Sequence, residues 1–292
     1  MKISFIGVGR LGGALALALA EKGFVVENLV TRHRKNAEEI SRKTNSQILS
    51  FDETAAVSSE VIFITTRDFE IEAVAENLAG KLKNKPMVFH TSGSLSSEIL
   101  RKVKEAGCAA GSLHPLVSVS DANLGKERFK GAYFCIEGDA EAVKIAGEIV
   151  EKLEGKAFSI ETKYKTLYHA SAVMSSGHLT ALVDTAIETL ARCGLEKAEA
   201  QRVLLPLIES SVENLKTQTP AEALTGTFAR ADVGTFRRHL ETLRENVSRE
   251  VLETYLQLGA RSAHLAQERN ASREDIETLS REILLAKNNL KC

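Results

Sequence analysis

The sequence predicts an α/β protein: a doubly wound, mainly parallel sheet followed by an all-α C-terminal domain. Three observations lead there. Short β-rich runs alternate with helical patterns over the first 160 residues, a glycine-rich turn joins the first strand to the first helix, and strand signals stop after residue 160. At 292 residues the chain is long enough for two domains, each able to bury a core. The expected division is 1–160 and 161–292, with "IETKYK" (160–165) at the boundary, no Gly/Ser linker, and a cleft shared by the two halves.

Strands are expected at "KISFI" (2–6), "VVENLV" (25–30), "VIFITT" (61–66), "PMVFHT" (86–91), "CAAGSL" (108–113) and "AYFCI" (132–136), with a strand-like "AFSI" at 157–160. Helical patterns fill 11–22, 36–43, 69–79, 96–106 and 139–153, several opened by a capping Asn, Asp or Ser. The second half begins with one long helical pattern from Lys163 to Cys193, stopped by Gly194, a residue suited to the left-handed cap. Further helices are expected near 196–217, 232–245, 247–268 and 272–288.

Composition narrows the function classes. Hydrophobic residues at 43% and charged residues at 26% are the proportions of a soluble globular protein. A net charge of −1 without a basic block argues against nucleic acid or an anionic membrane as partner and leaves small molecules. Cys108, Cys135, Cys193 and Cys292 lie far apart with no CxxC spacing, which points to a reduced, cytoplasmic protein. The apolar run from Ile3 to Ala20 is interrupted by glycines and Arg10 and lacks a cleavage-site pattern, so no signal peptide is expected. No stretch approaches the ~20 apolar residues of a bilayer span. The seven histidines form no HExxH and no ligand-spaced cluster, so no metal is expected, and no GxSxG elbow offers a serine nucleophile.

The first turn reads "GVGRLG" (7–12). Gly7 permits the tight turn, Gly9 lets backbone approach a pyrophosphate, and Gly12 allows helix and strand to pack closely, while the helix N-terminus offers free N–H groups. GxGxxG alone is weak; directly after a strand and opening a helix it points to a dinucleotide, with Arg10 and Leu11 completing the turn. At the end of the second strand, where an NAD site usually carries Asp or Glu, stands Thr31, followed by Arg32, His33, Arg34 and Lys35. A hydroxyl beside guanidinium groups suits a ribose 2′-phosphate, so NADP is favoured; the rival reading is a solvated basic loop.

In open α/β sheets ligands sit beyond the carboxyl ends of the strands. Thr65, Thr66, His90, Thr91, Ser92 and His114 fall at such ends and become candidates: Thr65, Thr66 and His90 toward the cofactor, Ser92 and Ser94 toward a substrate, His114 toward catalysis. Ser92, Ser94 and Ser96 also look like turn and cap residues, and a lone His before a Pro is often a strand-end plug. On the long helix, Lys165, His169, Ser176 and Thr180 project within about 60° of one another. Either that polar line faces the reacting centre, or it is a solvated face with His169 satisfied by a carbonyl.

The pattern "IGVGRLGGALALALAEKG" with a helical second half resembles the 6-phosphogluconate dehydrogenase-like group, which includes β-hydroxyacid dehydrogenases, pyrroline-5-carboxylate reductases and prephenate dehydrogenases. "FHTSGS", "GSLHPLVS", "YHASAVMSSGHLTALVD" and "EALTGTFARADVGTFRRHLETL" together resemble Rossmann-like proteins with a C-terminal DUF2520 domain. The resemblance implies a Rossmann-type first domain and an oxidoreductase. It places Lys165 where the hydroxyacid enzymes carry the Lys of a KxxxN pattern, with His169 in place of the Asn. Ser94 and His114 have the separation of the GSxxG and GxHPxxG segments of prephenate dehydrogenases, although Val117 or Ser118 replaces the last glycine. Thr225 and Gly226 are expected near the substrate, and Thr227 stands where relatives often have Pro.

These features predict an NADP-dependent oxidoreductase acting on a small carbonyl, hydroxy-acid or imine substrate, with His114 or the Lys165/His169 pair supplying a proton or hydrogen bond and Ser92, Ser94, Ser176 and Thr225 binding the substrate. A homodimer through the helical domain is expected from the small residues of "AVMSSGHLTAL". The competing class is a non-catalytic NADP(H)-binding sensor or interaction module.

Overall fold

The computed structural model describes residues 1–82, 84–269 and 271–290; Cys292 lies outside them. Eight strands form one sheet: β1 (Lys2–Ile6), β2 (Val25–Val30), β3 (Gln47–Leu49), β4 (Val61–Ile64), β5 (Met87–His90), β6 (Ala110–Pro115), β7 (Tyr133–Gly138) and β8 (Lys156–Phe158). Their order is β3-β2-β1-β4-β5-β6-β7-β8, parallel except where β7 runs antiparallel to β6. The connecting helices are α1 (Arg10–Glu21), α2 (Arg34–Thr44), α3 (Asp68–Ala79), α4 (Arg101–Glu105), α5 (Ala122–Gly125) and α6 (Ala140–Lys152). The predicted doubly wound α/β fold with a helical C-terminal part is therefore the observed one.

The central strands read as unbroken apolar runs because both faces are covered. On one face Phe5, Phe63 and Phe89 of adjacent strands stack with ring centroids 5.3 and 5.4 Å apart, under Leu15, Leu19 and Ile149. Alternation sends Ile6, Ile62, Ile64 and Val88 to the other face against Ile71, Leu78 and Val103. All of these side chains are buried, each stabilising the fold by about 1.5–3 kcal/mol.

After β8 come α7 (Lys165–Ser175), α8 (Gly177–Ala191), α9 (Lys197–Leu215), α10 (Pro220–Ala223), α11 (Gly226–Ala229), α12 (Val233–Asn246), α13 (Arg249–Glu268) and α14 (Arg273–Asn289). The long helix expected over 163–193 is broken at Ser176, whose backbone leaves the helical region (φ −125°, ψ −76°). Ser171 and Ser175 hydroxyls donate to the carbonyls of Tyr168 and Ser171 at 2.7 and 2.9 Å, local bonds that compete with helix continuation, and Gly177 follows. The chain divides into two compact units, 1–177 and 178–292, so α7 belongs with the sheet and the division falls later than residue 160.

Two smaller differences concern the first unit. β3, only three residues long, carries too few positions for a periodic signal. The helix expected over 96–106 is a 3₁₀ turn at Ser97–Leu100 followed by the short α4. In the second unit, Phe236, Leu252, Leu256, Leu279 and Ile283 form the core, and Gly259 of α13 lets Phe228 approach to where a Cβ would stand 2.9 Å from its Cζ.

Candidate active site

Strand order reverses between β1 and β4, since β1 leads to β2 on one side while the chain returns to β4 on the other. Ligands of such sheets bind at this switch point. Gly7 sits there with φ +95°, and an added Cβ would lie 2.8 Å from Thr66 N and 2.9 Å from Thr65 O. Gly12 would collide with the Thr65 side chain and come within 2.6 Å of Gly7 O. Thr65 Oγ1 donates to Gly7 O, locking the turn onto the end of β4. Gly9, the N-cap of α1, is the contrast: a Cβ there would meet nothing within 4 Å. Gly7 and Gly12 thus serve packing, while Gly9 borders open space at a twelve-residue helix N-terminus, with Arg10 exposed and Leu11 half-buried.

Around this turn, Thr66 Oγ1 is buried with no hydrogen-bond partner in the structure. The open cradle at Gly9 and this orphaned hydroxyl fit a dinucleotide. At the end of β2, Thr31 Oγ1 accepts from His33 N at 3.1 Å, shaping the loop. Arg32 is exposed, pairs with Glu70 and lies 5.1 Å over the Phe51 ring, whereas Arg34, also exposed, begins α2.

Beyond β5 the chain makes a tight polar turn. His90 is fully buried; its Nδ1 accepts from Ser92 N at 3.1 Å, so in the neutral ring the proton sits on Nε2, which has no hydrogen-bond partner. Burial pushes His90 down to about 4 and the Lys165 charge adds to this, against the Ser96 backbone and Asp68. Ser92 Oγ accepts from Ser94 N and Leu95 N at 3.2 and 3.1 Å, and both Ser92 and Ser94 hydroxyls donate to Asp68 Oδ2 at 2.8 Å. The two serines expected to bind substrate are therefore turn builders tied to the start of α3.

Antiparallel pairing of β6 with β7 places Ser112 opposite Glu137 and His114 opposite Cys135, and the period-two alternation puts all four on one face of the sheet. Lys165, at the start of α7, reaches down onto that face. Its Nζ donates to Ser112 Oγ at 2.8 Å and lies 3.9 Å from both Cys135 Sγ and Glu137 Oε1. Glu137 is fixed in turn by Ser97 N and Ser97 Oγ, each at 2.8 Å. Burial lowers the Lys165 pKa from its ordinary value, while Cys135 and Glu137 oppose the shift; burial likewise raises the Cys135 thiol. Lys165, one of the expected catalytic candidates, is buried at 2% exposure among these polar partners.

His114 and His169 meet above it. Their rings stand edge to face at 81°, centroids 6.0 Å apart, and an added Cβ at Gly93 would come 2.5 Å from His169 Cδ2 and 2.7 Å from His114 Nε2. Gly93 of "TSGS" is thus the residue that lets the β5 turn approach both imidazoles. Tyr168 OH lies 2.6 Å from His114 Nδ1. Burial, then the charge of Lys165 and of His169, push His114 down to about 4, with Asp68 opposing and His90 adding slightly. Both histidines line a cavity of about 580 Å³ with Pro115, Leu116, Ser118, Ser171 and Ser176.

The expected stripe is thereby divided. His169 and Ser176 line the cavity, Lys165 lies below it, and Thr180 belongs to the second unit. Thr225, the N-cap of α11, also belongs to the second unit. Tyr168, Ser112, Glu137 and Gly93 escaped the sequence reading, although Ser112 and Tyr168 carried a signal: Ser112 stands two residues before His114 on one strand, and Tyr168 stands one turn after Lys165.

Residues 1–115 match the Rossmann-like domain, and residues 132–262 match a domain of unknown function, DUF2520. Among solved structures, protein TM1727 from Thermotoga maritima is 25% identical, with a TM-score of 0.70 over 91% of this chain and 99% of its own. BF3122 from Bacteroides fragilis, a candidate NADP oxidoreductase, has 23% identity and a TM-score of 0.73 over 89% and 97% of the two chains. A 1-pyrroline-5-carboxylate reductase from Streptococcus pyogenes has 17% identity and a TM-score of 0.62 over 96% and 98%. At such identities the last two speak to the fold. The NAD(P)+ glycerol-3-phosphate dehydrogenase of Lysinibacillus sphaericus is 31% identical over 118 residues, a match spanning 36% of this chain and about a third (34%) of that curated relative. The chain therefore carries a region that matches the Rossmann-like domain, with the glycine turn and His114 in it, followed by a region that matches DUF2520 and contains α7.

Proposed function

We propose that the protein is an NADP-dependent oxidoreductase acting on a small carbonyl, hydroxy-acid or imine substrate. The observation that carries this reading is the placement, along the carboxyl edge of one sheet, of an open glycine cradle at β1 and β4 and a cavity walled by two imidazoles at β6 and α7. Gly9, the α1 N-terminus and Thr66 would hold the pyrophosphate side of the cofactor, with Thr31, Arg32 and Arg34 at a 2′-phosphate. Arg32 would exchange its Glu70 partner for that phosphate. When bound, the nicotinamide supplies or takes the hydride. The chain's own part is to hydrogen-bond the substrate's heteroatom from His114 or His169 and to hold the cavity's shape through Gly93.

The names of the neighbouring proteins support the same reading, as do the three described cysteines, all free, for a reducing, cytoplasmic setting. No helix among the described residues is long and apolar enough to cross a membrane. The test is thermal stabilisation by NADPH and by NADH, followed by single-turnover hydride transfer across a panel of small 2-oxo acids, aldehydes and cyclic imines. NADPH should stabilise the protein more than NADH, and His114→Asn should abolish transfer without abolishing that stabilisation. Stabilisation by NADPH with no transfer to any acceptor would favour a cofactor sensor instead.

The same proposal includes a homodimer through the helices. Only Ile187 in the fifteen residues of α8 and Ala200 in the nineteen of α9 are buried, while Leu179, Leu182, Val203, Leu205, Leu207, Val212 and Leu215 are exposed. Helices this apolar gain their stability in water from packing, and a second copy offers the same faces in a self-complementary arrangement. Light scattering should give twice the chain mass of 31.8 kDa; a monomer at micromolar concentration overturns this part.

A further inference from the structure

Tyr168 stands one turn beyond Lys165 on α7, and its ring is held between Phe158 (centroids 5.9 Å, 68°) and His114 (5.5 Å, 84°). Its hydroxyl lies 2.6 Å from His114 Nδ1. Burial raises the phenol's pKa further above neutrality, so the hydroxyl keeps its proton, and a neutral phenol at this distance either donates to a bare Nδ1 or accepts from Nδ1–H. An imidazole that accepts at Nδ1 carries its proton on Nε2, the atom on the Gly93 side of a ring that lines the cavity.

We propose that Tyr168 is a positioning residue that fixes His114 as a neutral imidazole with its proton on Nε2, so that His114 meets the substrate's heteroatom as a hydrogen-bond donor. The substrate half of this statement rests on the oxidoreductase reading; the tautomer half does not. The groups facing His114 agree with a neutral ring: Lys165 and His169 from α7 and His90 from β5 disfavour a second proton, and Asp68 from α3 alone favours one. Relay of the phenolic proton to Nδ1 would leave a half-buried phenolate, so Tyr168 orients the ring and does not feed it protons.

The experiment is long-range ¹H–¹⁵N correlation spectroscopy on the full chain with ¹⁵N-histidine, from pH 5 to 8, with His114 assigned by its loss in His114→Asn. His114 should show the Nε2–H pattern across this range without titrating. In Tyr168→Phe the Nδ1–H tautomer should become populated, and the midpoint, about 4 in the wild type, should rise by about 0.5–1 pH unit, the equivalent of one hydrogen bond, so that protonation becomes visible at the acid end of the range. Wild-type His114 in the Nδ1–H form, or titrating near 6.5, overturns the proposal without any variant having to fold; so does a Tyr168→Phe spectrum identical to wild type. Where an acceptor substrate is in hand, Tyr168→Phe should lower kcat tenfold or more with KM within twofold. Absence of hydride transfer in the wild type counts against the oxidoreductase reading alone, because the spectra need no turnover.

Discussion

The two ends of the sheet's carboxyl edge are built on opposite principles. At β1 and β4 the work is done by backbone: Gly7 and Gly12 are pressed against Thr65 and Thr66, and Gly9 is left bare. At β5 to β7 it is done by side chains: Lys165, Glu137, Ser112 and Ser97 form a buried polar platform, and two imidazoles stand above it. A cradle of backbone N–H groups suits an invariant phosphate, whereas a platform of charges suits control of protonation. Under the proposed function, that difference would separate holding from chemistry within one sheet.

The sharpest way to break this contrast is Lys165→Met. It removes the cation from the platform and leaves Glu137, 7% exposed, with only its Ser97 donors. Breaking a buried pair from one side costs about 3–5 kcal/mol. Urea denaturation at pH 7 should show a loss near 3 kcal/mol, much of it recovered in Lys165→Met/Glu137→Gln. A loss under 1 kcal/mol would mean that the platform is not an electrostatic unit.

The cradle was legible in the sequence and the platform was not. The glycine spacing, the strand before it and the helix after it are local, so Gly7, Gly9 and Gly12 could be assigned roles from a dozen residues. The platform is assembled by strand register: Ser112 and Glu137 are 25 positions apart, and only the antiparallel turn of β7 back along β6 sets them opposite. Lys165 and His169 were legible as part of a polar line at helical spacing, and the resemblance then gave them a role. Their division of labour depends on how far each side chain is buried, which periodicity cannot report. The break at Ser176 was hidden for a related reason, since "SSG" in an apolar helix reads as a dip in propensity until Ser171 and Ser175 are seen bonding back to carbonyls.

The turn after β5, beside the platform, should also be felt in acid. His90 has a folded pKa of about 4 against an ordinary 6.5. As pH falls below 6.5 the unfolded chain takes up its proton first, so folding loses stability between pH 6.5 and 4, while above 6.5 the group contributes no pH dependence. Between pH 7.5 and pH 5 this amounts to about 2 kcal/mol from His90. His90→Asn keeps an acceptor for Ser92 N but cannot titrate, so its stability should fall by about 2 kcal/mol less than wild type over that interval. Equal acid losses in the two proteins would mean that His90 is protonated in the fold, and the tautomer read from Ser92 N would be wrong.

The smallest stability effect belongs to the cradle and is the most informative about it. Gly9→Ala adds a methyl group where nothing lies within 4 Å, and φ at Gly9 is −88°, a value any residue adopts. Stability should stay within about 0.5 kcal/mol of wild type, since the substitution meets neither clash nor strain. If that open space is where phosphate meets the α1 N-terminus, the same methyl group should weaken NADPH tenfold or more, measured by fluorescence titration. A variant as stable as wild type that also binds NADPH as well would place the cofactor elsewhere. Gly9 would then be an ordinary N-cap and the cradle only a turn.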